Sequence, residues 1–407
     1  MRHSFLSAIL VLSASFAGAV EWTPVGGITV LGGMQSFAGE RGSLSGNADA
    51  SFAPAMRLDD RLSLLPSVRA EYEGTRRVND VLGTATSAQE RFESRLAIRA
   101  VWSQPSSRWR FKPAVAYARE MLKETKDETW GLGLYDQVRW TAGAEAELMT
   151  VAPHSLRLAV DWFQVAYPNY TTLESQAVFQ FSGQSLAREL VGDRVLDRTG
   201  WQFRVGGDAS LGSRAVAEGS LLGVWSRFPS QPLVDEGGQL SGRTRQDFLT
   251  SAAFALRMPH DWNADLRARA GLELGVNANT SDQNGYDATR GRFLAGFYDY
   301  VEWRVAPSAS VVIGPPRRPV TAQLKLGRRQ RHYTRRPPQG ETGAYGSGSL
   351  TTIEWTFGAS LDYPMARRLS LLFSVERVSA SSNQRYQRYY RYAYEAATAL
   401  AGLRWDW

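Results

Sequence analysis

The last ten residues of the sequence, Thr398 to Trp407, read TALAGLRWDW. Every second residue from Ala399 onward is apolar, and the positions between them include Gly402, Arg404 and Asp406. A period of two residues is typical of a β-strand that has one face against apolar material and the other against water. The pattern predicts that Leu403, Trp405 and Trp407 face a nonpolar surrounding and that Arg404 and Asp406 face water.

This segment resembles the terminal signal of Gram-negative outer-membrane β-barrel proteins, whose last strand ends in an aromatic residue preceded by alternating hydrophobic residues. The resemblance is to the porin-like superfamily as a whole and to no narrower family. It implies an all-β protein with a closed antiparallel transmembrane barrel in the cell outer membrane. It also implies that the barrel assembly machinery recognises the C-terminal strand ending at Trp407.

The start of the sequence supports this location. Arg2 and His3 precede an apolar stretch from Phe5 to Phe16, and small residues follow at 17–19. This order is typical of a secretory signal peptide and is too short for a membrane-spanning helix. We therefore predict a signal peptide over residues 1–19 and a single barrel domain over residues 20–407.

Composition excludes several other classes of protein. The chain has no cysteine, which excludes a disulfide framework, a lipid-modified anchor and a thiolate metal site. No run of eighteen apolar residues follows the signal segment, so spanning helices are not expected. The net charge of +7 comes from both signs mixed along the chain, which is unlike a nucleic-acid-binding patch. No cofactor or metal motif is present.

Alternation of polar and apolar residues recurs between turn signals along the chain. In Arg91 to Trp102 one set of alternate residues is rich in charge and the other is apolar. The connections alternate between short and long, as expected for tight periplasmic turns and longer extracellular loops. The predicted short turns are 59–61, 104–107, 151–154, 212–214, 259–261, 314–319 and 365–368, and the predicted long loops lie near 38–43, 77–88, 124–132, 168–199, 229–244, 279–292, 336–349 and 383–392.

These connections predict about 16 strands, within a range of 14–18, and place both termini on the periplasmic side. The rival fold is a soluble β-sandwich or propeller, which alternates in the same way because it buries one face between sheets. The signal segment, the alternating turn lengths and Trp407 favour the membrane barrel.

The charged alternate positions are candidates for the lining of a pore. Opposite charges on neighbouring strands can pair and stiffen the wall, or the side chains can line a water-filled channel and set its preference for ions. The two interpretations are compatible, since arginines left unpaired would favour anions. The pore-lining candidates are Arg69, Glu71, Arg91, Glu93, Arg95, Arg99, Arg139, Glu145, Arg267, Arg269, Glu273, Arg304, Lys325 and Arg329.

Two extracellular segments stand out. The loop over 168–200 has more apolar residues than an exposed loop needs, and it folds into the lumen, caps the mouth or packs as a small helix on the rim. The outer ends of the last strands are basic and aromatic, which suits lipopolysaccharide phosphates or an anionic or carbohydrate ligand. The outer-rim candidates are Arg331, Tyr333, Arg335, Arg388 and Tyr389.

An enzyme is not expected. An outer-membrane hydrolase needs a histidine as general base, and after the signal segment the chain has only His154, His260 and His332. The first two fall in predicted periplasmic turns, and His332 has no identifiable serine or aspartate partner.

The sequence therefore predicts a porin-like channel for small hydrophilic solutes. The alternative is a non-conducting structural or assembly barrel that serves a surface polysaccharide or protein secretion system. The expected partners are outer-membrane lipid and lipopolysaccharide, and an apolar outer face also permits a homo-oligomer.

Overall fold

The computed structural model describes residues 21–81, 84–150, 154–171, 179–181, 184–186, 193–212, 214–263, 265–287, 292–316, 318–386 and 392–407. The predicted signal peptide lies outside them. The described residues form a closed antiparallel barrel of 16 strands, which confirms the predicted fold class and strand number. Among them, no helix is long and apolar enough to cross a membrane.

Two barrel strands have a short break. These are β1 (Glu21–Thr23 and Gly26–Phe37) and β2 (Ser43–Phe52 and Ala55–Arg57). The others are β3 (Leu62–Glu73), β4 (Glu90–Ser103), β5 (Trp109–Lys123), β6 (Gln137–Met149), β7 (Ser155–Ala166), β8 (Arg198–Leu211), β9 (Ala215–Val234), β10 (Leu240–Asn263), β11 (Leu266–Ser281), β12 (Tyr300–Ile313), β13 (Val320–Tyr333), β14 (Thr351–Ala366), β15 (Leu369–Ser382) and β16 (Tyr394–Asp406).

Small hairpins lie within three of the long loops. Their strands are Arg77–Val81 with Thr84–Ala88, Phe179–Phe181 with Gln184–Leu186, and Gly285–Asp287 with Arg292–Leu294.

Short and long connections alternate around most of the barrel, as predicted, but the connections 38–42 and 235–239 are as short as the turns at the other end. Two predicted connections are wrong in position. The segment 259–261 is part of β10, and the turn to β11 follows Asn263. The segment 229–244 is mostly strand, because β9 continues to Val234 and β10 begins at Leu240.

The first and last strands close the barrel. Ile28 of β1 pairs in antiparallel register with Trp405 of β16, and Phe37 pairs with Ala396 at the other end. Two glycines allow the strands to approach closely at this seam. A Cβ on Gly402 would lie 1.8 Å from the Val30 carbonyl oxygen, and one on Gly33 would lie 2.0 Å from that of Ala399. The predicted pairing of the terminal strand with the first strand is therefore confirmed.

The outer wall of the barrel is apolar. Leu403 and Trp405 are 47% and 48% exposed, whereas Arg404 faces inward and pairs with Asp362 of β14 at 2.6 Å. The same division holds on the other strands, where large apolar side chains such as Ile98, Val115 and Phe357 project outward. Only a lipid surrounding would cover this surface, so the barrel spans the outer membrane.

The seam glycines provide a test of closure. We expect Gly402→Val to lower the yield of folded barrel, because the new side chain would collide with the β1 backbone and overpacking costs about 1–3 kcal/mol or more. Gly358→Val is the matched control, since the nearest atom to its added Cβ is 4.0 Å away. The measurement is the urea midpoint of unfolding in lipid vesicles. Equal midpoints for the two variants would contradict the requirement for a glycine where β1 and β16 approach closely.

Candidate functional site

The lumen of the barrel is the candidate site. All fourteen predicted lining residues lie on the inward-facing alternate positions of their strands. Several are well exposed within the lumen: the side chains of Arg69, Arg304 and Lys325 are 57%, 55% and 48% accessible. The lumen beside them is therefore open to water-sized molecules.

One part of the lining is a compact network around Arg91 of β4. Its guanidinium contacts Glu120 of β5 at 2.9 Å and lies within 3.6 Å of Glu71 and Glu73 of β3. It also contacts Glu93 on its own strand. Glu71 pairs in register with Glu93, and Glu93 with Glu120, so the carboxylates form a row across three strands. A single arginine bridges this acidic row and stiffens the wall.

Other predicted residues also form cross-strand pairs. Arg69 contacts Asp49 at 2.6 Å, and Lys112 contacts Glu145 at 2.9 Å. On the opposite wall Lys325 lies 3.3 Å from Glu273. Arg304 lies 4.0 Å from Glu273, and Arg329 contacts Glu354 at 2.8 Å. For these residues the pairing interpretation holds.

A second row of the wall is basic and lacks carboxylate partners. Arg95 pairs in register with Ala118, which pairs with Arg139, and Arg139 pairs through Val165 with Arg198. Three arginines therefore occupy alternate strands of one row, about 10 Å apart at the strand spacing. Within the described residues none of the three forms an ion pair, and Nε of Arg198 is buried without a hydrogen-bond partner.

Four further inward arginines also have no ion pair in the part of the chain that the structure describes: Arg99, Arg204, Arg267 and Arg269. Sequence reasoning left Arg198 out of the inward-facing residues. Arg198 fell inside the predicted loop 168–199, although it continues the alternation of Gln202 and Arg204 on β8.

Apolar residues fill one side of the extracellular mouth. Val195 and Leu196, from the loop between β7 and β8, are 1% and 2% exposed. They pack against Phe163 and Val165 on the inward face of β7, with Tyr167 beside them. Of the placements left open for this loop, the described segment 193–197 adopts the inward one. Arg139 stacks on the Phe163 ring, with its guanidinium carbon 5.1 Å from the ring centre.

A buried carboxyl group joins two of the loops near this cluster. The Leu122 backbone N–H donates to Asp136 at 2.9 Å, and the Asn169 side-chain amide donates to the same carboxyl at 3.4 Å. Burial raises the pKa of Asp136 above its ordinary value, although the backbone donors act in the opposite direction. The β5–β6 loop is thereby fixed to the β7–β8 loop.

On the other side of the mouth, the loop between β3 and β4 crosses the inner wall. Arg76 connects this loop to β1, and its Nε also donates to the Ser87 hydroxyl in the hairpin of its own loop at 2.9 Å. Its backbone N–H donates to the Gln35 side-chain oxygen of β1 at 2.7 Å, and its guanidinium pairs with Glu40 and stacks on Phe37. Beneath it lies a cavity of about 610 Å³ that is lined by Arg77, Lys325, Arg329, Glu354 and Tyr394, among others.

The predicted outer-rim residues do not lie together on the outside of the barrel. Arg331 and Tyr333 are on the inward face of β13, where Arg331 contacts Glu302 at 2.9 Å and stacks on Tyr300. Arg335 is exposed in the following loop. Arg388 and Tyr389 lie outside the described residues. Any ligand of Arg331 and Tyr333 would therefore be bound within the mouth.

No catalytic or metal arrangement is present in the described ranges. His332 accepts or donates one hydrogen bond, to Thr351 at 3.1 Å, and His260 lies on β10 beside Trp262. No cluster of three or more histidine, aspartate or glutamate side chains there is placed to hold a metal ion.

The apolar cluster provides a test of the loop placement. We expect Leu196→Asp to release segment 193–197 from the mouth. The variant loses a buried side chain whose packing contributes about 3 kcal/mol to stability, and it places a charge in an apolar cluster. Limited proteolysis from the extracellular side should cleave the variant faster than the wild type. The control is Asp193→Asn, in the same segment, which should leave the rate unchanged. Equal cleavage of all three proteins would show that the cluster does not hold the loop.

No protein-family model and no curated protein matches the chain. It is similar to several solved structures of outer-membrane proteins. OmpT of Vibrio cholerae with loop L8 deleted is 11% identical, over 96% of this chain and 100% of that chain, with a TM-score of 0.40. OccD3 (OpdP) of Pseudomonas aeruginosa is 9% identical, over 96% and 93%, with a TM-score of 0.44. A bacterial polysaccharide outer membrane secretin is 7% identical, over 94% and 98%, with a TM-score of 0.46.

The architecture of the chain itself decides its class. Its sheet is closed, its outer wall is apolar, and its inner wall is charged and open to water. The chain is an outer-membrane β-barrel protein.

Proposed function

We propose that the protein is a porin-like channel for small hydrophilic solutes and that it prefers anions. The observation that carries the proposal is the basic row of Arg95, Arg139 and Arg198 on the inner wall. These guanidinium groups have no carboxylate partner among the described residues, so their charge is available to a passing ion. The rest of the lining does not supply this preference, because most of its cations lie beside a carboxylate and the row around Arg91 has more carboxylates than arginines.

Simple electrostatics indicates the size of the preference. A unit charge about 8 Å from an ion in water contributes about 0.5 kcal/mol. That energy corresponds to about a twofold change in local ion concentration, favourable for an anion and unfavourable for a cation. Three arginines in one row therefore suffice for several-fold selectivity without a dedicated binding site.

The test is conductance of the purified, refolded protein in a planar bilayer. We expect discrete conductance steps and, under a potassium chloride gradient, a reversal potential that shows preference for chloride. The triple variant Arg95→Gln, Arg139→Gln, Arg198→Gln should lose most of this preference while it still conducts. Arg377→Gln is the matched control, since Arg377 projects from the outer wall and pairs with Glu395 at 3.2 Å.

Two results would contradict the proposal. Absence of conductance steps at any voltage would exclude the channel. Unchanged selectivity in the triple variant would exclude the basic row as its cause.

The second candidate function is a non-conducting structural or export barrel, and the filled mouth favours it. The apolar cluster around Leu196 and the crossing loop at Arg76 both narrow the extracellular opening. This candidate predicts no conductance in the wild type at any voltage. It also predicts that export of a surface polysaccharide or protein fails when the gene is deleted, whereas uptake of small anions is unchanged.

A further inference from the structure

The outward face of β13 changes character partway along the strand. Going from the periplasmic turn, its outward residues are Ala322, Leu324 and Leu326, followed by Arg328, Gln330 and His332. Leu324 and Leu326 are 54% and 44% exposed to the surrounding lipid. On β13 the apolar run of outward residues therefore ends at Arg328. The end of an apolar run near the extracellular end of a barrel strand is expected at the level of the polar headgroups of the outer leaflet.

Arg328 lies between two tryptophans of the same outer wall. Its guanidinium carbon is 5.0 Å from the ring centre of Trp303 on β12 and 5.1 Å from that of Trp355 on β14. Register explains the arrangement, because Arg328 pairs with Val305 on one side and directly with Trp355 on the other. Contact with the two indole rings keeps the guanidinium on the lipid-facing surface of the barrel, away from the lumen.

The hydrogen-bonding capacity of Arg328 is mostly unused. One η nitrogen is 3.3 Å from the Gln330 side-chain oxygen, and Nε is buried without a partner in the described residues. No carboxylate there pairs with this arginine. Arg377, another outward arginine two strands away, differs in this respect, because Glu395 lies 3.2 Å from it.

We propose that Arg328, flanked by Trp303 and Trp355 and assisted by Gln330, binds the phosphate group of an outer-leaflet lipid. A guanidinium offers planar, paired donors that match phosphate oxygens, and an unpaired cation at the edge of the apolar band needs an anion. The tryptophans contribute amphipathic surface at the same depth, where acyl chains meet headgroups. The site lies outside the lumen, so the inference stands or fails independently of the channel.

The test uses the full barrel refolded in detergent and titrated with lipopolysaccharide. Native mass spectrometry measures the fraction of protein that carries the lipid. Wild type and Arg377→Gln should bind equally, and Arg328→Gln should bind about tenfold more weakly, as expected for loss of a charge-assisted phosphate contact. Arg328→Lys should be intermediate, because it keeps the charge but loses the planar stacking. Folding of each variant is checked by heat-modifiable migration in electrophoresis.

Two further arms identify the group that is bound. Enzymatically dephosphorylated lipopolysaccharide should bind the wild type no better than it binds Arg328→Gln. Inorganic phosphate at millimolar concentration should fail to displace the lipid. The proposal is overturned if dephosphorylation has no effect, if free phosphate displaces the lipid completely, or if Arg328→Gln binds like the wild type. If Arg328→Gln does not fold, the comparison between Arg328→Lys and Arg377→Gln decides, and equal binding by those two overturns the proposal.

Discussion

The structure depends on one constraint: within lipid, every backbone N–H and C=O group must form its hydrogen bond inside the protein. In a β-sheet this need is met only when the first strand pairs with the last, since an open edge would leave unpaired groups in hydrocarbon. Here the pairing of β1 with β16 meets it over eleven residue pairs, from Gly27 with Asp406 to Phe37 with Ala396. Once the sheet is closed, each strand has one face in lipid and one in the lumen, and residue type must follow that division.

The same register also decides the electrostatics of the lumen. Residues two apart on a strand share a face, and residues in register on neighbouring strands lie side by side. Glu71, Glu93 and Glu120 therefore form one row, and Arg95 and Arg139 belong to the row below. Arg91 neutralises part of the acidic row, but the basic row has no counterpart on Ala118 or Val165. The local charge of the wall thus depends on which residues of neighbouring strands lie in register, and the composition of a single strand does not predict it.

Much of this was predictable because a period of two is a strong local signal. It assigned all fourteen lining residues to the inward face and predicted the orientation of Arg404 and Trp405. The prediction of strand ends failed at two prolines that were interpreted as turn residues. Pro259 lies within β10 at a level that β9 does not reach, since their register begins at Arg257, so its missing N–H costs no bond on that side. Pro232 likewise lies within β9, at an irregularity in the register.

Side-chain partners were not predictable from the period. The pattern places Arg328 and Arg377 on the same outer surface, but only the three-dimensional register shows that two tryptophans flank one and a glutamate pairs with the other. Nor could it decide the direction of the β7–β8 loop, because the burial of Leu196 depends on Phe163 and Val165, some thirty residues earlier in the chain. Local spacing reports which face a residue occupies, and contacts between distant segments decide what it does there.

The strands β9 and β10 have 20 and 24 residues, and this length divides each of them between two solvents. At about 3.3 Å per residue β10 extends about 80 Å, well beyond the apolar band even when tilted. Its central hydrogen bonds lie in a medium of low dielectric constant, where breaking one is costly, whereas those near Leu240 are exposed to water. The two parts of one continuous strand are therefore held in different ways: within the bilayer by hydrogen bonds that lipid cannot replace, and beyond it by buried side chains such as Phe228, Val234 and Arg245.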